Sequence, residues 1–124
     1  MIQAKIKNFT EYELKCRCCG LFNMDDDFLI RLQAFRFILN KFLIVSSGCR
    51  CKKHNKEVGG VDSSCHQGET KKATACDVTN NNCSEIYTLA TKSGLFNEVI
   101  WYKAKNFVHL ALDKNQKGNY FKIN

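Results

Sequence analysis

Hydrophobic residues recur at helical spacing across residues 23–42, where the chain carries its clearest structural pattern. The apolar positions fall at i, i+4, i+7, i+11 and i+14, which is one face of a helix. They are Phe28, Leu32, Phe35, Leu39 and Phe42. Asn23 is the predicted N-cap, and the acidic residues at 25–27 lie at the positive end of the helix dipole. We therefore interpret these acidic residues as helix-stabilising rather than as a metal site.

The rest of the pattern predicts short strands and a second helix. Apolar and β-branched residues at 43–47 and 75–79 predict strands, and the polar stretch 52–60 predicts a turn or a short helix. Residues 84–94 predict a helix that is capped by Ser84 and ends at a glycine.

A hairpin is predicted towards the C-terminus, from strands at 99–102 and 107–112 around a short polar loop. In its second strand, alternation places His109 on the face opposite to Val108 and Leu110. This order of helices and strands predicts an α+β fold rather than a regular βαβ repeat.

Composition narrows the class of protein. The chain has 124 residues and no linker or internal repeat, so we expect a single domain over 1–124. Hydrophobic residues make up 44% and charged residues 25%, which excludes a disordered chain. No apolar run approaches the ~18 residues of a membrane span, and the N-terminus lacks the apolar core of a signal peptide. We expect synthesis in the cytoplasm and no membrane partner, and the net charge of +7 suits nucleic acid or an acidic cell-wall polymer.

Three residues stand out as candidate metal ligands. Asp77 lies inside a short predicted strand, where a buried carboxylate needs a partner. Together with His66 and His109 it would form a sufficient ligand set for catalytic zinc, with the fourth position left to water. On spacing alone, unrelated surface histidines and a loop aspartate remain the alternative.

Four short motifs change that balance. Residues 47–60 read S-G-C-R-C-K-K-H-N-K-E-V-G-G, and S-C-H, A-C-D and F-V-H follow at 64–66, 75–77 and 107–109. These motifs resemble the zinc D-Ala-D-Ala carboxypeptidase family of peptidoglycan peptidases. That family includes phage endolysins that cut the L-Ala–D-Glu bond, and it shares its fold with the Hedgehog signalling domain. The resemblance implies a Hedgehog/DD-peptidase-like fold, with a small antiparallel sheet and helices packed on it.

The resemblance also implies roles for individual residues. His66, Asp77 and His109 match the zinc ligands of the family. Arg50 matches the arginine that meets the carboxylate or carbonyl of the substrate, a task that suits the fork of a guanidinium group. Ser64 matches a serine that we expect to contact the substrate.

The chain departs from the family pattern between the first two ligands. The family separates its histidine and aspartate by seven positions, whereas His66 and Asp77 are 11 positions apart. Four extra residues therefore fall within 67–75, and the metal site depends on how this loop folds back.

The chain also departs from the family pattern at the positions where a general base is expected. Ala111 stands where the family carries a carboxylate, and Asn106 stands where related enzymes place a glutamate base. Asp113 is the candidate base, with Glu98 and Glu69 as alternatives.

Cysteines surround the arginine motif. Cys16 and Cys19 have the C-x-x-C spacing of zinc sites, and Cys49 and Cys51 flank Arg50. Related peptidases carry cysteines at some of these positions, so the resemblance implies a disulfide or a small structural site that joins the N-terminus to the Arg50 loop. Buried free thiols are the alternative.

The function that we predict is zinc-dependent hydrolysis of peptide bonds in peptidoglycan stem peptides, by a DD-carboxypeptidase or an endolysin-type endopeptidase. We expect a monomer that acts at the cell wall or in the periplasm without a nucleic-acid partner, and the lack of a signal peptide suits a phage-encoded lysin. Two alternatives remain. One is a zinc-binding but catalytically silent domain of the same fold, and the other is a nucleic-acid-binding module built on the cysteine clusters.

Overall fold

The computed structural model describes residues 7–124, and four helices and five strands form this range. The helices are α1 (Glu11–Leu14), α2 (Asp26–Leu39), α3 (Lys52–Glu57) and α4 (Cys83–Ser93). The strands are β1 (Ile44–Ser47), β2 (Ala75–Thr79), β3 (Glu98–Tyr102), β4 (Phe107–Ala111) and β5 (Tyr120–Ile123). Each helix of the described range is too short or too polar to cross a membrane. Residues 1–6 lie outside the described residues. The expected lack of a signal peptide depends partly on these residues.

The strands form one sheet in the order β1-β2-β4-β3-β5. Neighbouring strands are antiparallel, except that β3 and β5 run parallel. The α+β fold class and the predicted hairpin are therefore confirmed, and the sheet is mixed at one edge rather than antiparallel throughout. β2 and β4 are adjacent inside the sheet, so residues that face outwards from both strands are brought together.

Helix α2 begins at a different cap from the predicted one. The Asp25 side chain accepts the N–H of Phe28 at 3.0 Å and is the N-cap. Asn23 instead donates its amide N–H groups to the carbonyl oxygen atoms of Gly68 and Lys71. The prediction of Asn23 as the cap is wrong because this side chain holds a distant loop.

The apolar stripe of α2 is buried for most of its length. Four of the five predicted residues have at most 6% of their surface exposed: Phe28, Leu32, Phe35 and Leu39. Phe42 is 51% exposed, because the helix ends at Leu39 and Asn40 takes a left-handed conformation. The prediction that Phe42 continues the stripe is therefore wrong.

The hydrophobic core lies between the sheet and the longer helices. Phe28 and Phe35 of α2 contact Phe96, with ring centroids 6.0 and 5.7 Å apart. Val108 and Leu110 are fully buried on this side of β4, as the alternation predicts. The opposite face of β2 and β4 does not form part of this core and can carry polar side chains.

Three smaller features differ from the prediction. Helix α4 begins at Cys83, and its N-cap is Asn82, which accepts the N–H of Glu85, rather than Ser84. Helix α1 and strand β5 were not predicted, because one helical turn and four edge residues are too short to show a period. The predicted strand at 75–79 and the end of α4 at a glycine are confirmed.

The cap of α2 also forms an ion pair whose strength depends on pH. Asp25 Oδ1 lies 2.8 Å from Lys114 Nζ. Burial raises the pKa of Asp25, but Lys114 and the N–H of Phe28 outweigh burial and hold this pKa below its ordinary value. A group with a lowered folded-state pKa stabilises the fold above its unfolded pKa, and this contribution is lost as the pH falls through the folded pKa.

We expect Asp25→Ala to lower the free energy of unfolding by about 1 kcal/mol at neutral pH, because a helix cap and an ion pair are lost together. Urea unfolding measures this difference, which should shrink below about pH 4 as the carboxyl group of the parent protein is protonated. Asp25→Asn is the control that keeps a capping oxygen, so its loss should be smaller. An alanine deficit that stays constant down to low pH would contradict this role of Asp25.

Candidate metal centre

The register of the two inner strands brings Asp77 and His109 together. Asp77 of β2 is paired directly with His109 of β4. Their side chains leave the same face of the sheet, and Asp77 Oδ1 lies 3.1 Å from His109 Nδ1. The core face of these strands is apolar, so this polar pair occupies the opposite face.

His66 reaches the same point from a loop. Its Nε2 atom lies 3.2 Å from Asp77 Oδ1 and 3.2 Å from His109 Nδ1. Its Nδ1 atom lies 2.8 Å from the carbonyl oxygen of Gly48. A Cβ atom at position 48 would overlap the carbonyl group of Leu14, so only glycine lets the chain pass here. The glycine of the S-G-x-R-C motif therefore helps to orient the first histidine.

The enlarged loop between His66 and Asp77 is organised around a buried glutamine. Gln67 is 2% exposed, and its Oε1 accepts the N–H groups of Glu69 and Thr70 at 2.5 and 2.8 Å. The segment on either side is tied down by backbone hydrogen bonds, from the N–H of Arg50 to the His66 carbonyl and from the N–H of Gly68 to the Arg50 carbonyl. The four extra residues therefore leave the His66 end of the loop in place.

Glu98 holds the outer nitrogen of the third candidate ligand. Its Oε1 atom lies 2.7 Å from His109 Nε2. Glu98 is paired in register with Ala111, so it stands across the sheet from the position where a carboxylate was expected after His109. A carboxylate that accepts the outer N–H of a ligand histidine fixes its ring orientation and tautomer.

Two histidine lone pairs and a carboxylate oxygen consequently face one another. The carbonyl of Gly48 can only accept, so His66 carries its proton on Nδ1 and presents the lone pair of Nε2. The carboxylate of Glu98 favours a proton on Nε2 of His109, so Nδ1 faces Asp77 and can bind a metal ion, or a second proton when no ion is bound. Ligand atoms bonded to a tetrahedral zinc ion at about 2.0–2.1 Å lie roughly 3.3 Å apart. The separations of 3.1 to 3.2 Å fit such a divalent ion.

The charges of these groups are strongly coupled. Burial raises the pKa of Asp77, but His66 and His109 outweigh burial and hold this pKa far below its ordinary value. Burial lowers the pKa of His109, but hydrogen bonds to Asp77 and Glu98 more than offset this effect and raise the pKa to about 9 in the absence of a cation. The hydrogen bond from His109 also lowers the pKa of Glu98. The site therefore attracts positive charge, whether a proton or a metal ion supplies it.

Arg50 lies beside this centre and contacts the second oxygen of its aspartate. Arg50 Nη2 is 3.5 Å from Asp77 Oδ2, and Arg50 Nε donates to Ser47 Oγ at 3.2 Å. Its Nη1 atom is 3.5 Å from Asn55 Oδ1. A guanidinium group has five N–H donors, so Arg50 retains donors for a ligand in the cleft.

Asn55 explains the second of the two glycines that end the first motif. It is 1% exposed and donates to the carbonyl oxygen of Val61 at 2.7 Å. A Cβ atom at Gly60 would overlap the Asn55 amide, so the loop can close over this side chain only with glycine there. The H-N-x-x-V-G-G part of the motif thus builds the wall that supports Arg50.

A polar cleft of about 510 Å³ opens over the three converging residues. Ser64 lies on its wall, and its Oγ accepts the N–H of His66 at 3.2 Å. Asp113 lies on the wall as well, where its Oδ1 accepts the N–H of Asn115 at 3.0 Å. Both predicted residues are therefore near the site, and neither is hydrogen-bonded to the side chains of the three candidate ligands.

Sequence reasoning missed several contributions to this site. The sequence suggested Glu98 only as a base, whereas its carboxylate is hydrogen-bonded to His109. This role depends on the pairing of β3 with β4, which the sequence pattern does not specify. Asn55 gave one signal, its place in the H-N motif. Tyr102 lines the cleft and stacks on Phe107 with ring centroids 4.8 Å apart, and no sequence pattern marked it.

Comparison with known proteins assigns the family. Residues 7–111 match the family model described as Peptidase M15. Comparison with curated proteins gives no significant match. Because the family match spans most of the chain and agrees with the α+β fold, this protein belongs to the M15 family of zinc peptidases, of the D-Ala-D-Ala carboxypeptidase type.

Proposed function

We propose that this protein is a zinc-dependent peptidase that hydrolyses peptide bonds in the stem peptides of peptidoglycan, as a DD-carboxypeptidase or an endolysin-type endopeptidase. The family assignment supports peptide hydrolysis. The observation that carries the proposal is the meeting of His66 Nε2, His109 Nδ1 and Asp77 Oδ1 within 3.2 Å of one another at the floor of a polar cleft.

These three residues would hold the zinc ion. Two neutral imidazoles and one carboxylate form a three-ligand set that suits catalytic zinc, and the cleft above them admits a substrate. When bound, Zn²⁺ supplies Lewis acidity, which polarises a carbonyl group and lowers the pKa of water. Gly48 and Glu98 hold the two imidazole rings in the orientation that metal binding requires.

Arg50 is the substrate-binding residue in this proposal. Its side chain is 14% exposed, so its charge lies at the wall of a largely desolvated site. A fixed guanidinium group can bind the terminal carboxylate of a stem peptide or stabilise the negative charge that develops on the attacked carbonyl oxygen. Ser64 on the same wall adds a hydroxyl group for the peptide backbone.

Asp113 is the proposed general base. It lies in the cleft, and unlike Asp77 and Glu98 it is not hydrogen-bonded to either candidate ligand histidine. Its carboxylate is therefore available to take a proton from the attacking water, directly or through one further water.

The charge of the protein suits the proposed location. With a net charge of +7, the chain is attracted to the anionic polymers of the cell wall, and it would act there or in the periplasm as a monomer. The proposal includes no nucleic-acid partner, because the family assignment points to a peptide substrate.

The first test is digestion of purified peptidoglycan. The zinc-loaded protein should release peptide fragments that mass spectrometry can identify, and their masses reveal which bond is cut. A chelator or His66→Ala should abolish release by removing the metal, whereas His54→Ala, which changes a histidine outside the centre, should leave it intact. If the stem peptides stay intact although zinc is bound, the protein is instead a catalytically silent domain of this fold. Ala111 and Asn106, which stand where the family pattern has carboxylates, would agree with that outcome.

A second pair of variants distinguishes the residue that supports metal binding from the residue that transfers a proton. Glu98→Gln should weaken zinc affinity by about 10–100-fold, since the His109 ring loses its carboxylate partner. Asp113→Asn should leave zinc affinity unchanged and lower kcat by about 100-fold or more. Competition with a chromophoric chelator measures the affinities, and peptide release measures kcat. Equal effects of both variants on zinc affinity would refute these separate roles.

A further inference from the structure

A second cluster of candidate metal ligands lies apart from the histidines. The sulfur atoms of Cys16, Cys19 and Cys51 all lie within 4.8 Å of one another. Cys16 and Cys19 belong to the loop after α1, and Cys51 immediately precedes α3. Sulfur atoms bonded to tetrahedral zinc at about 2.3 Å lie roughly 3.8 Å apart, which this cluster can accommodate. The proposed peptidase mechanism uses none of these thiols.

Backbone N–H groups donate hydrogen bonds to two of these sulfur atoms. Cys16 Sγ accepts the N–H of Cys51 at 3.3 Å, and the N–H groups of Cys18 and Cys19 also donate to it. Cys51 Sγ accepts the N–H of His54 at 3.4 Å. Hydrogen bonds from N–H donors favour the charged form of the acceptor. A thiolate is the form in which cysteine binds a metal.

The surrounding cysteines differ in what they can contribute. Cys49 is buried and directs its S–H towards the carbonyl oxygen of Asn23 at 3.9 Å. Cys18 is exposed, and its thiol contacts that of Cys51. Cys18 can therefore complete a set of four sulfur ligands by a change of rotamer, whereas the buried Cys49 side chain is directed away from the cluster to Asn23.

We propose that Cys16, Cys19 and Cys51 bind a second, structural zinc ion, with Cys18 as the fourth ligand. Four thiolates without an open position are the ligand set of a structural site rather than a catalytic one. The ion would join the loop after α1 to the chain just before α3, two segments that are far apart in sequence.

This structural site supports the segment that orients the catalytic centre. Between the two cysteine-bearing segments, the N–H of Cys49 donates to the carbonyl oxygen of Leu14 at 2.8 Å. The same segment carries the Gly48 carbonyl that orients His66, and it carries Arg50. Zinc held by Cys51 would therefore fix both groups without taking part in the reaction.

Counting zinc in purified variants tests the proposal. Protein prepared under reducing conditions should contain about two zinc ions per chain, and His66→Ala should retain about one. The double variant Cys16→Ser/Cys51→Ser should also retain about one, and Cys83→Ser, a control at a buried cysteine outside the cluster, about two. Elemental analysis together with native mass spectrometry gives these values.

Cobalt substitution gives a readout that does not depend on the folding of the double variant. His66→Ala loaded with Co²⁺ should show the near-ultraviolet charge-transfer band of thiolate bound to cobalt, and a chelator should remove the band and lower the unfolding midpoint. Absence of both zinc and this band in folded His66→Ala would overturn the proposal. An intact mass two hydrogens lower, with Cys16 and Cys51 joined in one peptide and no metal, would overturn it in favour of a disulfide. These outcomes leave the peptidase proposal unaffected, because peptidoglycan digestion tests that proposal separately.

Discussion

The mutual approach of three electron-rich atoms is the constraint on which the site depends. His66 Nε2, His109 Nδ1 and Asp77 Oδ1 repel one another at 3.1 to 3.2 Å unless a cation or a proton lies between them. Such an arrangement persists only if the fold holds each group from behind. The Gly48 carbonyl does this for one ring and Glu98 for the other, while strand pairing fixes the aspartate.

Residues 48–51 connect this centre to the rest of the molecule. Gly48 contacts Leu14 and orients His66, while Arg50 pairs with Asp77 and forms backbone hydrogen bonds with the loop that follows His66. The N–H of Cys51 donates to Cys16. A disturbance of the N-terminal loop would therefore reach the metal centre through this segment, although no residue of that loop is a candidate ligand of the centre.

Periodicity and motif spacing predicted the parts of the structure that depend on local sequence. The stripe of α2, the strand at 75–79 and the outward direction of His109 each follow from residues within one element. Contacts between distant segments were not predictable in this way. The role of Glu98 depends on its registration opposite Ala111, and Asn23 holds the Gly68 loop instead of capping α2. Local patterns do not encode which strands become neighbours, so these roles became visible only in three dimensions.

The loop centred on Gln67 shows that the separation between the first two candidate ligands along the chain is not itself a structural requirement. Backbone hydrogen bonds fix His66 at one end and strand pairing fixes Asp77 at the other, so the intervening length can vary while both ends remain anchored. A search pattern with a rigid interval would consequently reject chains of this kind. Patterns that leave this interval variable, and require instead the glycine whose carbonyl oxygen accepts the N–H of the first imidazole, would retain such variants.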